Sequence, residues 1–129
     1  MVCKMNIPYR YRAIVTDVHD GDTITVNMDM GMRTWLHDIK IRFAGIDAPK
    51  LYGPGREKGL ASRDFLARLI DEQDVIIDTE KDAKGRDATG KYGRWLGTVW
   101  VKAEDSDEWI NVNARLVEEG LAVIWRGRK

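Results

Sequence analysis

The first third of the chain follows a two-residue period that admits little besides β-structure. Tyr9, Tyr11, Ala13 and Val15 alternate with Arg10, Arg12, Ile14 and Thr16, and Ile24, Val26, Met28 and Met30 then alternate with polar residues. Successive side chains of a strand point to opposite faces, so this pattern turns one face to a core and the other to water. Asp20-Gly21-Asp22 separates the runs and reads as a hairpin turn, with Gly21 supplying a positive φ. Ile39, Ile41 and Phe43 repeat the alternation, which stops at residues 45–49. Three such strands in succession predict an antiparallel meander.

From 57 to 71 the period lengthens. Ala61, Phe65 and Leu69 recur at steps of four beside Leu66 and Ile70, an amphipathic helix whose first turn Gly59 weakens. Residues 75–77 and 95–101 read as two further strands on either side of a polar, glycine-containing stretch. Asn111 or Asn113 caps a second short helix, Val112, Leu116 and Val117 form its apolar side, and Gly120 ends it. The predicted order is βββ-α-ββ-α. A chain of 129 residues with this pattern is expected to be one domain over 1–129. One cysteine and two histidines exclude a disulfide scaffold and the usual zinc sets. No apolar run has the length of a membrane helix and the first dozen residues lack a signal-peptide core, so a cytoplasmic location is expected.

Twenty-one basic residues balance twenty-one acidic ones, so net charge names no partner. Its distribution says more. Lys81, Lys84, Arg86, Lys91 and Arg94 gather in one stretch, and Arg126, Arg128 and Lys129 close the chain, enough for a phosphate-attracting face. Asp22 begins one strand and Asp47 follows another. If the meander packs these ends together, two carboxylates and nearby carbonyls suit a hard cation such as Ca²⁺ or Mg²⁺; otherwise both are turn aspartates. Arg42, within a strand among apolar neighbours, needs either a carboxylate or a phosphate. Arg94 follows Gly93 and is either a ligand contact or a solvated loop residue. Two arginines beside a cation would clamp a phosphodiester and stabilise charge gathering on phosphorus. His19 and His37 read as surface or strand residues, Trp95 and Trp100 as structural, and Trp125 as a platform on which a base can stack.

Four segments occur together and in order: Asp20-Gly21-Asp22-Thr23, Ile41-Arg42-Phe43-Ala44-Gly45-Ile46-Asp47-Ala48-Pro49, Lys91-Tyr92-Gly93-Arg94, and Asn113-Ala114-Arg115-Leu116-Val117-Glu118-Glu119-Gly120-Leu121-Ala122. With them the chain resembles the staphylococcal nuclease (thermonuclease) family over about residues 9–125. The resemblance implies an α+β, mainly β fold, a five-stranded OB-fold-type barrel with two to three packed helices. It implies a Ca²⁺-dependent endonuclease acting on DNA or RNA, single strands preferred, as a monomer away from membranes. By similarity Asp22, Asp47 and the backbone carbonyl of Ala48 hold the calcium ion, with Asp20 in an outer shell. Arg42 and Arg94 clamp the phosphate, Lys91 and Tyr92 contact a terminal phosphate, and Trp125 and Arg126 lie near the base. One position departs from the pattern: Asp47-Ala48-Pro49-Lys50 carries lysine where the family has its general-base glutamate. Protonated lysine has no lone pair to accept a proton from water. Loss of a positioned base costs about 10²–10⁴ in rate, so attenuated hydrolysis is expected. Glu57 is the nearest downstream acid that could take its place. A non-catalytic nucleic-acid-binding module is the competing reading.

Overall fold

The computed structural model describes residues 9–80, 89 and 93–125. In chain order its elements are β1 (Arg10–Asp20), β2 (Thr23–Asp29), β3 (Trp35–Phe43), β4 (Ile46–Asp47), a 3₁₀ turn (Gly53–Gly55), α1 (Arg56–Ile70), β5 (Asp74–Thr79), β6 (Trp95–Lys102), β7 (Trp109–Asn111), α2 (Val112–Glu118) and β8 (Val123–Ile124). The first three strands form the antiparallel meander. β5 adds to the other side of β1, and β6 adds to β5, again antiparallel. β6 then pairs in parallel with β3, matching Ile41 to Trp95 and Phe43 to Gly97. That last pairing closes a five-stranded barrel, and β7 adds to β6 as a short sixth strand.

The predicted alternation fills the interior. Ala13, Val15, Ile24, Val26, Ile41, Phe43, Val75, Ile77, Val99 and Val101 are all buried, joined by Leu66 and Ile70 of α1 and Val112 and Leu116 of α2. Met30 lies past the end of β2 and is exposed, because the chain turns at Gly31. Trp95, read as structural, is exposed at the start of β6. No described helix is long and apolar enough to cross a membrane.

Glycine and polar positions differ from expectation in ways that shape the site. Gly21 has no positive φ. It is required for space: a Cβ there would press on the Ser62 hydroxyl and lie 2.8 Å from the Ala48 Cβ. The buried stripe of α1 is Gly59, Ser62, Leu66 and Ile70, whereas Ala61 faces solvent. Ser62 is buried because its Oγ donates to the Leu121 carbonyl at 2.8 Å, and Gly59 because the helix meets the loop at Lys50. Asn111, not Asn113, caps α2, its side chain accepting from the Ala114 N–H at 3.1 Å. Asn113 is buried instead. It accepts from the Val99 N–H and donates to the carbonyls of Ala44 and Gly97, bridging the seam between β3 and β6. Gly120 ends α2 at φ +74, with Leu121 N–H on Leu116 O and Gly120 N–H on Val117 O, the Schellman arrangement.

Candidate active site

The site lies where the β1–β2 turn meets the end of β3. Asp20 accepts from the Asp22 N–H at 3.0 Å, closing the turn, and Asp22 points inward with 5% exposure. Two groups hold its carboxylate. Oδ2 accepts from the Ala48 N–H at 2.8 Å, and Oδ1 accepts from the Thr23 hydroxyl at 3.1 Å. The first of these ties residue 22 to residue 48 and so joins the turn to the segment carrying Asp47.

Arg42 lies between the two aspartates. Its Nη1 donates to the carbonyls of Phe43 and Ile46, each at 2.9 Å, and stands 3.5 Å from Asp22 Oδ2. Its Nη2 donates to Asp47 Oδ1 at 3.2 Å. The expense of a guanidinium placed inside a strand is thus met by two carbonyls and two carboxylates. The geometry also fixes Asp47 from the other side: β4 pairs with β8, matching Asp47 to Val123, and the Trp125 N–H donates to the Gly45 carbonyl at 2.9 Å. The Trp125 ring then lies 5.9 Å from the Arg42 guanidinium carbon, within cation–π range.

Arg94 enters from β6's leading end and donates from Nη1 to the Thr23 hydroxyl at 3.2 Å. Thr23 therefore connects Asp22 to Arg94. Sequence reasoning assigned it no role; its one signal was its place directly after Asp22, at the start of β2. Lys50 is exposed at the end of the Asp47 segment, and Glu57 is exposed in the first turn of α1. Lys91, Tyr92 and Arg126 lie outside the described residues, as do Lys81, Lys84, Arg86, Arg128 and Lys129.

The two turn aspartates hold protons differently. Burial raises the pKa of Asp20, and the hydrogen bond and negative charge of Asp22 raise it further. Burial pushes Asp22 upward too, but hydrogen bonds from the Asp20 carboxyl and the Ala48 N–H, the charge of Arg42 and the Thr23 hydroxyl together hold it below the ordinary value. Such a pair favours a nearby positive charge, which Arg42 supplies. Asp22, Asp47 and the Ala48 carbonyl offer only oxygen, the donor chemistry of a hard divalent cation. Among the described residues no cluster of three or more His, Cys, Asp or Glu side chains is gathered at metal-binding spacing, so an ion here would keep several waters.

The sequence profile described as staphylococcal nuclease homologue matches residues 40–129. Protein ParB of Escherichia coli is 36% identical over 89% of this chain and 58% of its own length. Micrococcal nuclease of Shigella flexneri is 34% identical over 90% and 59%, and thermonuclease of Staphylococcus intermedius 32% identical over 84% and 56%. The chain thus spans a little under three-fifths of each of these relatives. With a matched profile over most of its length and a closed barrel of the expected strand order, the chain belongs to the staphylococcal nuclease homologue family.

Proposed function

We propose that this chain hydrolyses nucleic-acid phosphodiesters at the cleft between Asp22, Arg42, Asp47 and Arg94, with calcium as its cofactor. The supporting observation is one guanidinium, Arg42, contacting both aspartates while Arg94 reaches the same turn through Thr23. Asp22, Asp47 and the Ala48 carbonyl would hold the ion, Asp20 standing behind them. Bound calcium supplies charge to the phosphate oxygens. Arg42 and Arg94 serve two further needs: planar guanidinium groups hold non-bridging oxygens in a defined orientation, and they neutralise the charge that grows on them as water attacks phosphorus. The new P–O bond forms as the bond to the 5′ oxygen breaks, the leaving oxygen takes up a proton, and the attacking water gives one to solvent. Lys50 accepts none, and its ammonium adds a positive charge next to the Asp47 segment, so hydrolysis is slow. Trp125, beside Arg42, offers a stacking surface for an unpaired base, which favours single strands.

The lysine at position 50 also favours a second reading, a nucleic-acid-binding module without turnover. Digestion of single-stranded DNA with calcium and with chelator, by the wild type and by Lys50→Glu, tests both. Slow calcium-dependent cleavage that rises about 10²-fold or more in Lys50→Glu supports the proposed hydrolase. Cleavage by the variant alone supports the binding module with a preserved cleft. Inactivity of both proteins, with or without calcium, overturns the site assignment.

A further inference from the structure

Next to the cleft, on the outer wall of β1, β2 and β3, lies a groove of about 300 Å³ lined by Asp17, His19, Thr23, Thr25, Lys40 and Arg94. Thr23 and Arg94 belong to the site described above; the other four residues do not. Cross-strand register arranges the groove in two rungs. Asp20, Thr23 and Arg42 form the first, and Asp17, Thr25 and Lys40 the second. Lys40 and Arg42 are two residues apart on β3 and therefore share a face, about 6.8 Å from one another along the strand. That step is comparable to the separation of successive phosphates in an extended single strand.

The rungs are skewed by two irregularities in β1, between Val15 and Asp17 and between Val18 and Asp20, leaving His19 unpaired in the ladder. Bulges of this kind re-aim side chains beside active sites. Charge is separated across the second rung. Lys40, exposed and without an ion-pair partner among the described residues, is at one end, and Asp17 is two strands away, about 10 Å, at the other. A phosphate belongs at the Lys40 end. The Asp17 carboxylate repels one and instead accepts from a base N–H, such as the N3–H of thymine, while the His19 ring and Thr25 hydroxyl offer polar contacts between. The volume is at the lower limit of small-molecule sites, room for one nucleotide.

From this we infer a subsite for the nucleotide adjoining the scissile phosphodiester, its phosphate on Lys40 and its sugar and base toward His19 and Asp17. The inference rests on the nucleic-acid reading above and adds a direction: the phosphate backbone runs along β3 from Arg42 to Lys40, with the sugar and base turned across β2 toward β1. Equilibrium binding of a fluorescent oligothymidylate about eight nucleotides long, without divalent cations so that the strand stays intact, tests it against salt concentration. Lys40→Ala is expected to weaken binding about three- to fivefold at low salt and to reduce the slope of log affinity against log salt by about 0.7, one phosphate contact. Lys40→Arg is expected to retain the wild-type slope. Lys102→Ala, at the far end of β6 and paired with Asp107 at 3.3 Å, is expected to retain it too. If the wild type binds and Lys40→Ala keeps its slope, or if Lys102→Ala lowers the slope equally, the subsite is refuted while the nucleic-acid reading stands. If the wild type fails to bind the strand at low salt, both fall together.

Discussion

Asp20 and Asp22 differ in burial and in partners, and the difference makes stability depend on pH. The native pKa of Asp20 is raised, so between the ordinary carboxylate value and that raised value the native state holds a proton the unfolded chain has lost. Stability contributed there falls as pH rises through the window. Asp22 works in the opposite sense: its native pKa is lowered, so its contribution is present above the ordinary value and is lost as pH falls through the native one. Asp20→Asn keeps an oxygen for the Asp22 N–H and an amide donor for the Asp22 carboxylate while removing a half-buried negative charge. In metal-free buffer the variant is expected to match the wild type at low pH and to exceed its stability at neutral pH, as read from urea unfolding across the range. Equal stability at both ends would mean that Asp20 is ionised in the native state as easily as in the unfolded one. Asp22, Asp47 and Arg42 were legible as residues because a charge at a strand end or inside a strand demands a partner. That Arg42 would be shared between them was not, since the two carbonyls and two carboxylates around it come from a backbone path that side-chain periodicity does not encode.

At the scale of elements, α1 forms a backing for the site. Its Ser62 lies against Gly21, between the two turn aspartates, and its Gly59 faces the carbonyls of Pro49 and Lys50. On helix propensity alone Gly59→Ala gains about 1 kcal/mol. The added Cβ, however, would press on the Lys50 carbonyl, lying 2.6 Å from its carbon, and backbone cannot turn aside as a flexible side chain can. Gly59→Ala is therefore expected to destabilise by up to about 2 kcal/mol in urea unfolding, an overpacking cost of about 1–3 kcal/mol outweighing the gain in propensity. A stabilised variant would show that the loop yields freely and that α1 does not constrain it. Here the sequence pattern misled in an instructive way. Hydrophobic spacing put Ala61 on the buried face and treated Gly59 as a weakness, because a stripe sought among apolar residues passes over a serine that is buried by a hydrogen bond and a glycine selected for contact. The strands β4, β7 and β8, two or three residues each, are too short to carry any period.

Across the whole molecule, two devices hold the cleft, and they differ in what they cost to remove. The first is the barrel seam. Asn113 makes three hydrogen bonds to the backbone of β6 and to Ala44 beyond β3, with 5% exposure. Asn113→Ala leaves the Val99 N–H and the carbonyls of Ala44 and Gly97 without that partner, Gly97 alone keeping another in the Ala44 N–H, and a loss of about 2–4 kcal/mol is expected by urea unfolding. The second is the terminal strap of β8 and Trp125, which pairs with β4 on one side of Asp47. Val123 and Ile124 are each 64% exposed, so the strap adds little burial, and a chain ending at Ala122 is expected to lose no more than about 2 kcal/mol without metal. Its effect on the proposed ion should be disproportionate. Without β8 the Asp47 segment has lost its strand partner and Arg42 its aromatic neighbour, whereas Asp22 keeps its bond to the Ala48 N–H. A ligand that binds only the native state raises its stability by about 2.7 kcal/mol at a hundredfold excess over Kd, so calcium titration of the unfolding temperature reports affinity directly. The shortened chain is expected to give a markedly smaller shift than the wild type at equal calcium. A full shift would place the control of Asp47 within its own loop and its pairing with Arg42, and would leave the strap a structural appendage.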